Sequence, residues 1–312
     1  MTDNLSEHLP VLLDETVTAL AVKADGIYVD GTFGRGGHAR AVLAKLSDKG
    51  RMLGLDKDPD AIKEANSLAQ QDNRFFIEQC SFADLSSAVS GHLWQGQVDG
   101  ILLDIGVSSP QLDVAERGFS FQKDGPLDMR MNPDAGISAA EWLAKAEMAE
   151  IETVIKTLGE ERYGKRIARA IVEARDVTPI TTTHQLAELV DKASPSREKH
   201  KHPATRTFQA IRIHINNELG DLKLGLEQAL DMLAIGGRLA VISFHSLEDR
   251  IVKRYFRDEA LGDDLPSDFP ITADQLNPRV KIIGKAIKAG KQELEQNPRA
   301  RSAVLRVVEK LA

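Results

Sequence analysis

The chain has 312 residues, 42% hydrophobic and 28% charged, which excludes a disordered or fibrous protein and allows one large domain or two of ordinary size. No apolar run nears the roughly 20 residues needed to cross a bilayer, and the opening residues lack the basic and apolar regions of a signal peptide, so a cytoplasmic protein with no membrane partner is expected. A net charge of −7 argues against a general nucleic-acid coat, and the single cysteine, Cys80, excludes an internal disulfide and suits a reducing compartment.

In chain order, apolar residues at Leu12, Leu13, Val17 and Leu20 predict a helix over Val11–Val22. Next comes Ile27-Tyr-Val-Asp-Gly-Thr-Phe-Gly-Arg-Gly-Gly-His38, a short strand ending in Asp30, then four glycines and a helix over Ala39–Leu46. Glycines between a strand and a helix let backbone approach a ligand closely and aim unpaired helical N–H groups at it. Arg51–Leu55 reads as a second strand ending in Asp56, followed by a helix from Asp60 to Ala69. Phe75–Ile77 is a third strand, which makes nearby Cys80 a buried structural thiol, with Phe82-Ala-Asp84 after it. Asp99–Leu103 is a fourth strand, ending in Asp104 and followed by Gly106-Val-Ser-Ser-Pro110. Strands alternating with helices at this spacing predict a parallel sheet covered on both faces.

The rhythm breaks after Gln111. Residues 116–136 hold too many aromatics and methionines for a free linker and read as an ordered loop. Helical periodicity then runs through Ala139–Leu143, Ile151–Leu158, Tyr163–Arg175 and Thr183–Lys192 with no strand between. An all-helical domain at 113–202 is therefore expected to be inserted into an α/β domain of residues 1–112 and 203–312. Pro203–Asn217 and Asp221–Leu233 are amphipathic helices, with Gly236-Gly237 expected to stop the second. Arg238–Phe244 is the clearest strand, ending at His245, with a helix over Arg250–Phe256 after it. Residues 257–300 read as loop-rich and basic, and Ser302–Val308 as the last strand. Residues 155–214 hold twelve Lys/Arg against seven Asp/Glu, a local balance of +5. Lys281, Lys285, Lys288, Lys291, Arg299 and Arg301 form a second basic group. Such a distribution on an acidic chain suits a polyanion met on one face.

Asp30, Asp56 and Asp104 each end a strand, where ligands of open parallel sheets bind. Asp56 lies 20 residues past Gly36, the offset at which an acid meets a ribose diol. The glycine spacing is Gly-x-x-Gly-x-Gly-Gly rather than the Gly-x-Gly-x-x-Gly that grips a pyrophosphate. Carboxylates beside the loop would repel a pyrophosphate but suit the ammonium and sulfonium of S-adenosylmethionine. The residues favour S-adenosylmethionine and leave a nicotinamide dinucleotide as the second choice. A P-loop is excluded, since no Gly-Lys-Ser/Thr follows. His200-Lys-His202 has no accompanying ligand set, so no metal site is expected.

Eight motifs in order carry a family resemblance over nearly the whole chain. They are His8–Glu15, Asp30–His38, Asp99–Gln111, Arg117–Phe121, Gly125–Met131, His202–Gln209, Ser243–Arg250 and Asn297–Ser302. The sequence resembles the bacterial 16S ribosomal RNA cytosine-N4 methyltransferases, the RsmH family, formerly MraW. The resemblance implies a class I S-adenosylmethionine-dependent methyltransferase (Rossmann-like) α/β fold with an inserted helical substrate-recognition domain. It implies methylation of N4 of a decoding-centre cytidine in 16S ribosomal RNA of the small ribosomal subunit. It also implies cofactor contacts at Gly36, Gly37, His38, Asp56, Phe82, Asp104 and Gln111. It leaves the oligomeric state open, a homodimer included.

The exocyclic amine of cytosine is a weak nucleophile because its lone pair is delocalised into the ring, so transfer needs in-line geometry and an acceptor for the amine hydrogens. Many amino-methyltransferases place an Asp/Asn/Ser-Pro-Pro-aromatic motif after the fourth strand; here the run is Asp104-Ile-Gly-Val-Ser-Ser-Pro110. Asp104 or a group around Ser108-Ser109 is the expected acceptor, with Asp104 as holder of the methionine ammonium the alternative. His245 has two readings, a contact to the base or a helix cap. A paired cytosine cannot present N4 to a buried methyl group, so the target is single-stranded or flipped. Arg197, Lys199, Lys201 and Arg206 are candidate phosphate contacts. Competing functions are a non-catalytic S-adenosylmethionine- or RNA-binding assembly factor and a nicotinamide-dependent oxidoreductase on the same fold.

Overall fold

The computed structural model describes residues 10–195, 202–262 and 276–312, so Arg197, Lys199, His200 and Lys201 lie outside the described residues. The strands are β1 (Ile27–Asp30), β2 (Arg51–Asp56), β3 (Phe75–Gln79), β4 (Val98–Asp104), β5 (Leu233–Ser243), β6 (Val280–Ile282), β7 (Ile287–Lys288) and β8 (Val304–Lys310). The helices are α1 (Leu13–Ala19), α2 (Gly37–Leu43), α3 (Pro59–Gln71), α4 (Leu85–Gly91), α5 (Ser109–Asp113), α6 (Ala139–Lys145) and α7 (Met148–Leu158). They continue as α8 (Gly164–Arg175), α9 (Thr183–Ala193), α10 (Ala204–Ile215), α11 (Glu218–Met232), α12 (Ser246–Leu261) and α13 (Lys291–Gln296). No helix among the described residues is long and apolar enough to cross a membrane.

Two compact units result, Met1–Gly106 with Leu219–Ala312, and Val107–Glu218. The first is built on one sheet of order β3-β2-β1-β4-β5-β8-β6, with β7 pairing β8. Strands β1 to β5 are parallel. The last strand corrects the all-parallel expectation: β8 runs antiparallel to β5, β6 and β7. This is the class I methyltransferase arrangement, a Rossmann-like sheet whose order reverses beside β1.

The near-continuous apolar runs of the central strands follow from burial on both faces. Val29, Leu55, Ile101, Leu103, Leu239 and Val241 pack with residues of α4, α11 and α12. Their neighbours Tyr28, Met52, Leu102, Ala240 and Ile242 pack with α1, α2 and α3 on the other face. Gly100 exists to seat Tyr28, since a Cβ there would lie 2.7 Å from its ring.

Three further expectations are corrected in this unit. Gly236-Gly237 does not stop α11; the helix ends at Met232 and both glycines lie in an irregular start of β5. There the register passes from Val98↔Leu233 directly to Gly100↔Arg238, and Gly236 takes φ 78° to make the detour. The stretch read as loop also holds β6, β7 and α13, which are too short to show periodicity. Cys80 is half-buried rather than buried, although burial still pushes its thiol up to about 12 and leaves it inert.

The second unit is helical, with a core of Trp142, Ile155, Ile167, Ile171, Leu186 and Phe208 among others. Helix α10 supplies Phe208, Ala210 and Ile211 to that core, so the compact unit takes in Val107–Glu218 where the sequence reading placed an insertion at 113–202. Residues 116–136 form an ordered loop whose Phe119, Leu127 and Met129 are buried. Met129 holds φ 64°, unusual for a side chain with a Cβ. Asn216 stabilises it by donating Nδ2–H to Met129 O at 2.7 Å and accepting from Met131 N at 2.7 Å.

Candidate active site at the carboxyl edge of the sheet

Strand register explains why three acids converge. Asp30 pairs with Gly54 on β2 and with Leu102 on β4, and paired residues share a face. Asp56 and Asp104 lie two residues beyond those partners, and side chains two apart in a strand return to the same side. All three therefore occupy the α2 face at the carboxyl ends of adjacent strands. Such crowding of carboxylates is costly in the absence of a cation, and their proton affinities show it. Burial, with Asp56 nearby, pushes Asp30 up to about 7. Burial also raises Asp56 to about 6, against the opposing pull of backbone donors. Asp104 rises to about 8 through burial, then through the charges of Asp30 and Glu248.

Each acid has a distinct set of partners. Asp30 Oδ1 accepts from Thr32 N at 3.1 Å, and Thr32 Oγ1 in turn accepts from Asp104 N at 2.7 Å, tying the glycine loop to β4. Asp56 Oδ2 accepts from Gly34 N at 2.7 Å and its Oδ1 from Asp58 N at 2.9 Å, so it fixes the loop while each oxygen keeps acceptor capacity. Asp104 differs. Its Oδ1 is shut off from solvent and has no hydrogen-bond partner among the described residues. Its Oδ2 faces His38 Nδ1 at 3.8 Å.

His38 sits in the first turn of α2, 6% exposed, with Nε2 3.1 Å from Val11 O. A carbonyl only accepts, so Nε2 carries the proton. Burial lowers the imidazole to about 4, which keeps it neutral and leaves Nδ1 an acceptor. Gly36 caps α2 at φ 71°, where a Cβ would lie 2.4 Å from Phe33, and a Cβ on Gly37 would lie 2.2 Å from Pro10. Both glycines are thus demanded by packing as well as by any ligand.

Phe82 opens a 3₁₀ turn after β3 and packs between Gly31 and Gly225, where added Cβ atoms would come within 3.1 Å and 2.5 Å of it. Sequence reasoning missed the face of α11 that holds this turn. Asp221 Oδ2 accepts from Ser81 Oγ at 2.7 Å and pairs with Lys57. Gln228 accepts from Ser86 N at 2.8 Å and donates to Ala83 O. Asp221, Gly225 and Gln228 recur at helical spacing, and that spacing was the available signal.

The structure does not group every candidate. Ser108 and Gln111 belong to the helical unit, where they form the capping box of α5 and Ser108 N donates to Gln111 Oε1 at 2.9 Å. His245 caps α12, its Nδ1 accepting from Glu248 N at 3.4 Å. Glu248 is fully buried and accepts from Phe244 N at 2.8 Å and His245 N at 3.2 Å. Arg206 donates to Glu160 O at 2.9 Å.

Comparison with known proteins gives the family. Residues 5–311 match the model of the MraW methylase family. A ribosomal RNA small subunit methyltransferase H of Nitrosococcus oceani is 59% identical over 309 residues, covering 99% of this chain and 98% of the relative. A solved rRNA methylase of Streptococcus thermophilus aligns at TM-score 0.42 and 12% identity, over 96% of this chain and 93% of that one, a likeness too distant to carry an argument. With nearly every residue matched to the family model and more than half identical in a full-length relative, the chain belongs to the MraW methylase family.

Proposed function

We propose that this chain transfers the methyl group of S-adenosylmethionine to N4 of a cytidine in the 16S ribosomal RNA of the small subunit, in the cytoplasm. The observation that carries the reading is the orphaned Asp104 Oδ1 beside an unprotonated His38 Nδ1 at an acid-rich edge. With Asp104 ionised the pair is two acceptors without a donor, and an ammonium offers three N–H groups to it while its charge favours that ionisation. The same charge argues against a dinucleotide, because its pyrophosphate would face Asp30, Asp56 and Asp104.

The residues fit the cofactor. Asp104 and His38 would hold the methionine end, Asp56 the ribose hydroxyls and Phe82 the adenine face. Gly36 and Gly37 would let backbone approach, and Gln111 is the remaining cofactor residue we assign. Bound S-adenosylmethionine supplies an electrophilic methyl group on a sulfonium. The chain must orient the amine of the target base and accept the hydrogen it loses. Asp104 and Ser108 are the groups we assign to that work, with the unit Val107–Glu218 as the substrate-recognition domain. The amine demands an acceptor because its nitrogen must turn tetrahedral as the new bond forms.

Mass spectrometry of ribosomal RNA from cells lacking the protein, with and without re-supply, tests the function. Loss of one N4-methylated cytidine and its return on re-supply are expected. An unchanged set of base methylations overturns the reading.

A further inference from the structure

We infer that the N-terminal half of α8 and the groove beside it form a docking surface for the phosphodiester backbone of ribosomal RNA. This rests on the ribosomal RNA reading above and gives the partner a surface wholly within the helical unit. Arg162, just before α8, and Lys165, Arg166 and Arg169 within it are all exposed. None of the four has an acidic partner among the described residues. Arg166 and Arg169 are three residues apart within α8, so their side chains share one face of the helix, with Arg162 in the turn just before it.

Helix stability does not explain the arrangement. The N-terminus of a helix carries partial positive charge, so cations in the first turns oppose the macrodipole while acids would be favoured. The first turn of α8 holds no acid, and its exposed Glu173 comes two turns later. Exposed like charges placed against the local field gain from an anion that offsets them. Three of the four are Arg, whose planar fork matches a phosphate in bidentate fashion better than an ammonium does.

That face borders a groove of about 900 Å³ between α8 and α9. Arg166 and Arg169 stand on one wall and Lys192 on the other, over a floor that includes Ala170, Ala174 and Leu189. Lys192 is 3.4 Å from Glu188 in a solvent-exposed pair that costs little to break. Glu173 and Glu188 also line the groove, so its basic character is concentrated at the Arg166 and Arg169 end, over an uncharged floor that suits a strand held by its backbone rather than read by its sequence.

The test measures binding to a naked 16S ribosomal RNA transcript and to the assembled small subunit across a salt series. Proteins compared are the wild type, Arg166→Ala/Arg169→Ala, Arg166→Glu/Arg169→Glu and Glu173→Lys. Isothermal titration with S-adenosylmethionine and circular dichroism serve as controls. The alanine pair should weaken RNA binding about tenfold at moderate salt and flatten the slope of log K against log salt by about 1.4, while cofactor affinity stays put. The charge-reversed pair should bind more weakly still, and Glu173→Lys should bind more tightly than wild type. Unchanged affinity and slope in both pairs overturn the proposal. So does wild-type binding that needs assembled subunit and vanishes on naked RNA, which would place an acidic protein on this surface, or a dimer broken by the reversed charges. RNA binding requires no methyl transfer, so a chain that binds through α8 yet methylates nothing would sink the enzymatic reading and leave this surface standing.

Discussion

His38 Nδ1, an unprotonated ring nitrogen, lies 3.8 Å from Asp104 Oδ2, and once Asp104 ionises neither atom has a proton to offer the other. Nε2 of His38 is committed to Val11 O, and burial keeps the ring neutral. The pair is therefore a preset receptor for a donor cation, while the cation-free site favours protonated Asp104.

Linkage turns this into a pH dependence. Asp30 and Asp104 have folded values of about 7 and about 8, above the ordinary 3.8. A carboxyl raised by folding contributes stability that is fully present below its unfolded value and is lost as pH rises through the folded one. The contribution of these two groups to the melting temperature of the cofactor-free protein should therefore decline from about pH 4 to about pH 8 and level off above that. Cofactor affinity should run the other way, strengthening as Asp104 ionises, by up to about tenfold per pH unit below its midpoint. Thermal melts and titration calorimetry across that range check both; a flat affinity profile removes Asp104 from the binding set.

Asp104→Asn separates stability from binding. The amide removes a crowded charge, so the variant should melt a few degrees above wild type at pH 8. It also loses a charge-assisted contact to the ammonium, worth about 1.5–3 kcal/mol, or roughly a 10- to 100-fold loss in affinity. If cofactor binding and methyl transfer both survive, Asp104 neither holds the cofactor nor accepts the amine hydrogen. Ser108→Ala provides the contrast, costing about 1 kcal/mol as a lost cap. A fall in kcat with cofactor affinity intact would support its role as acceptor.

Gly225→Ala probes Phe82 without touching it. The new methyl would sit 2.5 Å from Phe82 Cδ2 and 3.2 Å from its carbonyl oxygen, so the turn has to move. Overpacking of this kind costs about 1–3 kcal/mol. If Phe82 walls the adenine, Kd for S-adenosylmethionine should rise by about tenfold while affinity for methionine alone is unchanged. Equal weakening of both ligands would show general loosening instead.

The strand-end acids were legible because both faces of β1, β2 and β4 are buried, so each apolar run stops abruptly at an aspartate. Their common face followed only from the register, since Asp30, Asp56 and Asp104 belong to three strands whose pairing no local pattern states. Direction was illegible for the same reason, and β8 has the same alternation whichever way it runs. Asp221 and Gln228 look like the solvent face of an amphipathic helix until Ser81, Ala83 and Ser86 are placed against them. Helix α10 was read with the α/β unit because its apolar stripe does not say which core it enters; Phe208 and Ile211 enter the helical one. The Gly236-Gly237 pair shows the limit of a local rule, since a doublet that ends many helices here bends a strand.

Glu248 links α12 to the acids. It is fully buried, takes two backbone N–H groups on Oε2, and sets Oε1 2.8 Å from His245 Nε2 without hydrogen-bond geometry. Its charge is also one of the causes that raise Asp104. In Glu248→Gln the amide keeps one oxygen for Phe244 N and His245 N, so the cap of α12 can persist while the charge is gone. The variant should fold with a loss of about 1–3 kcal/mol, the range for a weakened buried hydrogen-bond set. Its distinguishing effect is electrostatic: Asp104 loses a like-charged neighbour, so the pH at which cofactor affinity rises should move down relative to wild type. Glu248→Ala, which removes the acceptor altogether, should shift that profile and also destabilise more. A Gln variant whose affinity profile overlays the wild type would show that Glu248 serves the helix cap alone.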